Sequence, residues 1–421
     1  MDVPSYSLAE RDRRWALARD LMAAEGVEAL VCYGEHECVE LAPFAPDAYF
    51  SNDRPGTIVV FCRDAAPVQL HWSNQSIATH LDAAKRGTQM WIAPENIRAG
   101  SVFQPGRNAA GIVEVLREHD LEHAAVGVLG LDLVPPWHLN PIMPYTLWRE
   151  VLSQLPGVTF KQVGTSFMSA TICLSQEEQA ALRYAAKTGD AMARAMVEAA
   201  APGATEAEVY AAGMAAAFRV GCQAPNMLMW SGPGFVAWGP PTWGYRPEPP
   251  RTLTDGDVLL AEVFSRFGMK ESQHQVAIAI GDVHPDIEAA ARIAQASYRA
   301  GLAAARVGNT FGDLAEAMMA PLKQAGSWNI HPLVHALNPF GPVGGFGAPG
   351  GLDQIPGASR YGRLFELPTV GAELPLAPGM SWSLEPSAVV GGRAVNLGGT
   401  VIIGEHDPLE LNPYTAQLLR A

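Results

Sequence analysis

The sequence predicts two domains, an α/β domain over residues 1–165 and a larger α+β domain over residues 166–421. The chain has 421 residues, which is long for a single hydrophobic core. In its first part, helical and strand patterns alternate. The pattern then changes to a long Ala-rich helix, followed by pairs of helices with strand-like segments between and after them.

In the first part, an amphipathic pattern predicts a helix from about Ala9 to Glu25. Apolar runs flanked by turn residues predict strands at 29–33, 57–61 and 125–129, with a helix at about 110–118 before the last strand. This alternation is typical of an α/β domain.

In the second part, Ser175 is a plausible N-cap with acidic residues in the following turn, and it opens a helix to about Ala200. Further helices are expected near 205–220, 285–307 and 311–325. Two similar units of helix, turn, helix and strand pair therefore follow one another, which indicates an internal duplication.

The composition limits the partners. The formal net charge is −14 with 17% charged residues, and no dense run of Lys or Arg could form a nucleic-acid or membrane surface. No apolar run approaches the ~20 residues of a membrane span. Five scattered cysteines without CxxC spacing suit reduced, mostly buried thiols. We expect a soluble cytoplasmic protein that binds neither nucleic acid nor membrane.

Three stretches carry a family signature. Residues 256–262 lead through Gln273 to Gly281, His335 follows, and residues 378–386 read Pro-Gly-Met-Ser-Trp-Ser-Leu-Glu-Pro. Together they resemble the M24, or pita-bread, family of methionine aminopeptidases, prolidases and creatinases. The resemblance implies an N-terminal α/β domain and a pita-bread domain whose two α+β halves face each other across a cleft.

In the family's peptidases, five ligands reading Asp, Asp, His, Glu, Glu hold two divalent cations. The corresponding positions here are Glu262, Gln273, His335, Glu385 and Gly398. A Gln amide cannot supply a bridging negative charge and Gly has no side chain, whereas two hard cations need several anionic oxygen ligands. The favoured expectation is a site without metal; the alternative is one divalent metal on Glu262, His335 and Glu385.

The histidine assignment stays open at this point. His335 lacks the usual flanking glycine, so His331 is the other candidate counterpart. A lone His is also more often a hydrogen-bonded core residue than a ligand. Glu385 lies in the family's most recognisable segment, which favours a functional role for it.

Creatinase, a member without metal ligands, grips its substrate's carboxylate with two arginines, and two segments here are similar. Arg54 lies in an Arg-Pro pair before a strand, and Arg363 lies in a Tyr-Gly-Arg stretch. Arg is the side chain best suited to bidentate carboxylate binding. However, Trp238 occupies the position of creatinase's histidine, and Gln275 replaces a glutamate, so hydrolysis of creatine itself is not expected.

Aromatic residues are expected at the edges of the cleft, where they could bind an aromatic or onium group. They are Trp230, Trp238, Trp243, Tyr245 and Trp382.

The predicted activity is hydrolysis of a C–N bond in a small carboxylate-bearing or zwitterionic molecule, without metal or with one metal. Glu262, His335 and Glu385 would handle proton transfer, while Arg54, Arg363, Trp238, Gln273 and Gln275 would bind the substrate. One alternative is a lyase that abstracts a proton and eliminates a leaving group, and another is a binding module without activity. The resemblance further implies a homodimer.

Overall fold

A computed structural model describes residues 2–34, 45–101, 104–131, 142–329, 332–340, 343–344 and 369–421. The chain forms two compact units, an N-terminal unit over Ser5–Thr171 and a C-terminal unit that runs from Ile172 to Ala421. The boundary expected between residues 165 and 166 falls within a helix that spans Gly164–Thr171. The division at Ile172 keeps that helix whole.

The N-terminal unit alternates helices and strands. Its helices are α1 (Leu8–Glu25), α2 (Pro46–Ser51), α3 (Asn74–Lys85), α4 (Pro105–Glu118), α5 (Tyr145–Gln154) and α6 (Gly164–Thr171). Its strands are β1 (Ala29–Tyr33), β2 (Ile58–Cys62), β3 (Val68–His71), β4 (Ile97–Ala99), β5 (Ala125–Leu129) and β6 (Thr159–Gln162). The helices and strands expected in this part are confirmed, and the helix expected at 110–118 begins earlier, at Pro105.

Among the described residues, the N-terminal sheet has the strand order β4-β3-β2-β1-β5-β6. Strand β1 is antiparallel to β2 and parallel to β5. Alternate residues of β1 and β2 enter two separate cores, so Val31 and Val60 pack in one and Leu30 and Phe61 in the other. The sheet is therefore covered on both faces, as in an α/β domain.

The C-terminal unit contains two helix pairs. Its helices are α7 (Gln176–Ala199), α8 (Glu206–Phe218), α9 (Pro285–Ala304) and α10 (Phe311–Gln324). Its strands are β7 (Met227–Gly232), β8 (Val258–Phe267), β9 (Lys270–Ala279), β10 (Val334–Ala336), β11 (Val343–Gly344), β12 (Ser381–Leu384), β13 (Ser387–Val390), β14 (Arg393–Asn396), β15 (Gly398–Ile402), β16 (Leu409–Glu410) and β17 (Leu419–Arg420).

The N-cap of α7 is as the sequence predicted. Ser175 accepts from the Glu178 backbone N–H at 3.1 Å, and Glu178 accepts from the Ser175 N–H at 3.0 Å. The reciprocal pair satisfies two backbone donors that the first turn would otherwise leave unpaired. Thr205 and Thr310 cap α8 and α10 in the same way.

Among the described residues, the main sheet of this unit has the order β11-β10-β12-β15-β9-β8-β7. Helices α7 and α8 cover one face of β8 and β9, where Ala261 and Val276 pack with Met192. Helices α9 and α10 cover one face of β10 and β12, where Trp382 and Leu384 lie in the core. We call the opposite side of these strands the inner face.

Within the described ranges, no helix combines the length and the apolar character needed to cross a membrane.

Candidate functional site

Strand register places the predicted site residues of β8 and β9 on the inner face. Glu262 lies directly opposite Gln275, and Gln273 lies two residues earlier on the same side of β9. His274, between the two glutamines, points the other way: its Nε2 lies 3.0 Å from the Ala186 carbonyl oxygen of α7. The period of two along a strand therefore separates the candidate site from the helical core.

Glu262 is a buried carboxyl group with a neutral donor. The Trp238 indole donates from Nε1 to Glu262 Oε2 at 2.8 Å. Burial raises the pKa of Glu262 well above its usual range, and the neighbouring Glu385 carboxylate raises it further, while the Trp238 hydrogen bond opposes the shift. Burial and the neighbouring carboxylate thus both favour the protonated form of Glu262.

His335 and Glu385 form a second buried group on the inner face. His335 Nδ1 lies 2.8 Å from the Ala336 carbonyl oxygen, and its Nε2 lies 3.0 Å from Glu385 Oε1. Because a carbonyl oxygen only accepts, Nδ1 carries a proton and donates to it. The short contact of Nε2 with a carboxylate oxygen then requires a second proton between His335 and Glu385.

Gln273 is held by a buried ion pair that the sequence analysis missed. Its Nε2 donates to Glu271 Oε1 at 3.2 Å, and Glu271 Oε2 accepts from Arg266 at 2.7 Å. Arg266 and Glu271 lie opposite each other in the β8–β9 hairpin, and both side chains are almost fully buried. Their positions at alternate residues from Glu262 and Gln273 were the signal that could have identified them.

Several polar atoms near these residues have no hydrogen-bond partner among the described residues. They are Gln273 Oε1, Ser383 Oγ and Asn396 Oδ1. The Asn396 amide nitrogen donates to Gln275 Oε1, the Gln275 side chain hydrogen-bonds to Glu262, and Ser383 lies beside His335 across the β10–β12 pair. Buried polar atoms normally find partners, so three such atoms around two glutamates indicate a place for a polar ligand.

Comparison with known proteins identifies the family. The sequence model of metallopeptidase family M24 matches residues 180–405, more than half of the chain. The chain belongs to metallopeptidase family M24. A search of curated proteins found no significant match.

Solved structures show the same two-domain fold, so the α/β N-terminal domain and the α+β pita-bread domain are confirmed. Dipeptidase PepE from Mycobacterium ulcerans is 20% identical, with a TM-score of 0.69 and 99% coverage of both chains. Prolidase from Pyrococcus horikoshii OT3 is 15% identical, with a TM-score of 0.68, covering 97% of this chain and 99% of its own. Prolidase from Thermococcus sibiricus is 12% identical, with a TM-score of 0.72 and coverages of 99% and 100%.

The family's enzymes are metallopeptidases, but the inner face of this M24 protein does not fit a two-metal centre. Gln273 offers an amide, and Gly398 has a φ of +122° with a backbone that leaves no room for a side chain: a Cβ there would collide with the Leu384 carbonyl oxygen.

The remaining predicted residues have mixed outcomes. Trp382 does not line a cleft: it is buried in the core and stacked on Phe311 with ring centroids 4.6 Å apart, so that expectation was wrong. Arg54 lies in the N-terminal unit, with its guanidinium 4.4 Å from the centre of the Trp72 ring. Arg363 and His331 fall outside the described residues.

Proposed function

We propose that this M24 protein hydrolyses a C–N bond in a small carboxylate-bearing molecule without using a metal. The observation that carries the proposal is a pair of buried carboxyl groups in different surroundings: burial raises the pKa of Glu262, and Glu385 is hydrogen-bonded to His335. Titratable groups whose environments differ in this way are typical of an acid and a base that work in one reaction.

Glu262 is the proposed general acid. Its proton is retained because burial and Glu385 both disfavour the carboxylate. The Trp238 indole donates to Oε2 at 2.8 Å and fixes the orientation of the carboxyl group. A neutral carboxyl group can protonate the departing nitrogen, which an amine or amidine leaving group needs.

Glu385 is the proposed general base, oriented by His335. The hydrogen bond of 3.0 Å occupies Glu385 Oε1, so Oε2 is the oxygen that would take a proton from water. The Ala336 carbonyl oxygen lies 2.8 Å from Nδ1 and accepts from it, which fixes the orientation of the His335 ring. The ring in turn holds the Glu385 carboxyl group in place.

The reaction is balanced as a hydrolysis. Water loses one proton to Glu385, its oxygen forms a bond to the reacting carbon, and the C–N bond breaks. Glu262 gives its proton to the nitrogen. The proton on Glu385 then returns to Glu262 directly or through solvent, so both groups recover their initial states.

The proposed substrate carries a carboxylate and a polar group next to the scissile bond. Among the buried polar atoms without partners, the Ser383 hydroxyl can donate to such a substrate, and the amide oxygens of Gln273 and Asn396 can accept from its polar N–H groups. Arg54 and Arg363 are the proposed carboxylate anchors, from the creatinase-like segments. The structural relatives are named as dipeptidases and prolidases, so X-Pro dipeptides are the first compounds to test.

The test is product analysis in isotopically labelled water. Purified protein is incubated with X-Pro dipeptides, N-acyl amino acids, guanidino acids and onium acids, and the products are analysed by mass spectrometry. One labelled oxygen per C–N cleavage is expected. Glu262→Gln and Glu385→Gln should each lower kcat by about 10²–10⁴-fold.

Asp190→Asn is the matched control. Asp190 is a half-buried carboxylate of the C-terminal unit, and burial raises its pKa to about 6. It lies 3.6 Å from His274, which points away from the inner face of β9. It should retain activity. An unsaturated product without labelled oxygen would identify a lyase instead. No turnover of any compound, with tight binding to a macromolecule, would identify a binding module.

A further inference from the structure

Three potential metal ligands meet in the N-terminal unit, whereas the glutamates of the proposed active site belong to the C-terminal unit. Asp53 follows α2, His71 ends β3, and His80 lies in α3. Asp53 Oδ2 lies 3.3 Å from His80 Nδ1 and 3.8 Å from His71 Nε2. His80 is the buried residue of α3, a helix whose core-facing contact is thus a histidine rather than an apolar side chain.

The hydrogen bonds of His80 define its tautomer. His80 Nε2 lies 3.2 Å from the Ile92 carbonyl oxygen, which can only accept, so Nε2 carries a proton. In the neutral ring, Nδ1 then holds a lone pair, and this lone pair faces the Asp53 carboxylate. Two electron pairs at 3.3 Å repel each other unless a proton or a metal ion lies between them.

His71 presents the same arrangement through its other nitrogen. Its Nδ1 lies 3.2 Å from Ser76 Oγ, and that hydroxyl donates to the Ser73 carbonyl oxygen at 2.8 Å. Ser76 is therefore the acceptor and His71 Nδ1 the donor, which leaves the lone pair on Nε2. His71 Nε2 is buried and has no hydrogen-bond partner among the described residues.

The separations of 3.3 and 3.8 Å from Asp53 Oδ2 are close to those between ligands of a first-row transition metal. Ligands at the Zn–N and Zn–O distances of about 2.0–2.2 Å in a tetrahedron lie about 3.3–3.6 Å apart. All three ligand atoms here lie within 4.8 Å of one another. Small side-chain movements would therefore bring them into coordination.

Metal-binding histidines usually donate a hydrogen bond from the ring nitrogen that does not bind the metal. Both histidines here do so: His80 donates from Nε2 to the Ile92 carbonyl oxygen, and His71 donates from Nδ1 to Ser76. Asp53 Oδ1 accepts from the Arg54 backbone N–H at 2.7 Å. The Asp53 side chain is 25% exposed, which provides an entry path and a position for water as a fourth ligand.

We propose that Asp53, His71 and His80 bind one divalent transition-metal ion, with two imidazole nitrogens and one carboxylate oxygen as ligands. Imidazole and carboxylate together suit zinc, iron(II), cobalt(II) and nickel(II) rather than calcium or magnesium. The ion joins the loop after α2, the end of β3 and helix α3. It would thereby fix Asp53 and His71, the residues next to Arg54 and Trp72 in the sequence.

Metal binding to the full-length protein tests the proposal. After chelation and removal of the chelator, Zn²⁺ is added in competition with a chromophoric indicator, and Co²⁺ is added for visible absorption spectroscopy. Wild type should bind one equivalent. Asp53→Asn keeps the shape of the side chain but removes its charge. This variant and His71→Ala should each bind the metal at least 100-fold more weakly than wild type. Loss of a residue that only hydrogen-bonds to a ligand, such as the Ser76 hydroxyl, should weaken metal binding by roughly 10–100-fold.

His119→Ala and Glu385→Gln are the controls. His119 is an exposed histidine that ends α4 in the same unit, and its loss should leave affinity unchanged. Glu385→Gln separates this proposal from the proposed function: metal that persists in this variant and disappears in Asp53→Asn supports the N-terminal site. Metal that disappears only with Glu385→Gln, or no binding by wild type, would overturn it.

Discussion

We predict that a metal-binding side chain cannot be introduced at Gly398 without destabilising the protein. It lies at the family's fifth ligand position, with a φ of +122°, a region that residues with a side chain rarely adopt. A Cβ would collide with the Leu384 carbonyl oxygen and would lie 3.2 Å from Tyr298 Cδ2. We therefore expect Gly398→Ala to destabilise the protein strongly.

The magnitude has two contributions. Backbone strain at a conformation that only Gly adopts readily costs about 1–3 kcal/mol. The collision with rigid backbone costs about 1–3 kcal/mol more, as in other overpacked sites. Gly392→Ala is the control, because its φ of +75° imposes strain but no atom lies within 4 Å of its added Cβ. The free energy of unfolding of the control should fall by only about 1–2 kcal/mol.

Urea unfolding followed by circular dichroism measures the difference, provided that both variants unfold with the same slope. The free energy of unfolding of Gly398→Ala should be lower than that of Gly392→Ala by about 1–3 kcal/mol. Equal stabilities would refute the steric argument. A Gln273→Asp, Gly398→Glu double variant that folds normally and binds two metals would refute it as well.

The other predictions concern charge. Because the pKa of Glu262 is raised in the folded state, the folded protein holds a proton that the unfolded chain releases above about pH 4.5. The free energy of unfolding should therefore fall as pH rises. Glu262→Gln should be more stable than wild type at alkaline pH in urea titrations. Wild-type kcat should fall as pH rises through that same pKa, a limb that the residual activity of Glu262→Gln should lack. Arg54→Ala should raise KM about tenfold or more for a carboxylate substrate but not for its amide, whereas Arg63→Ala, at an exposed ion pair with Glu28, should change neither. Chelation should lower the melting temperature without lowering kcat; a matching loss of kcat would contradict metal-independent hydrolysis.

Local signals in the sequence predicted the elements well. Ser175 and Thr310 each start a helix with a capping box, so the starts of α7 and α10 could be located to the residue. The alternation of side chains along β9 likewise separated Gln273 and Gln275 from His274. These features depend on residues within a few positions of one another, which is why a single sequence contains them.

Features that depend on distant residues could not be predicted in this way. The Trp238 hydrogen bond to Glu262 joins residues 24 positions apart, and His335 meets Glu385 across 50 positions. Trp382 was expected at a cleft edge with four other aromatic residues. Strand alternation instead turns it to the opposite face, where the apolar core takes it.

The proposed chemistry follows from how the buried carboxyl groups are neutralised. In a two-metal peptidase, cations keep the ligand carboxylates ionised; with Gln273 and Gly398 in place of two anionic ligands, a proton on Glu262 and the His335 ring beside Glu385 take over that role. A metal entering this face would have to displace both protons, so its binding would weaken as pH falls. Protons held in this way are also available to a substrate. In the proposed mechanism, Gln273 and Gly398 stand in place of anionic metal ligands, while Glu262 and Glu385 serve as proton donor and acceptor for a substrate bound between them.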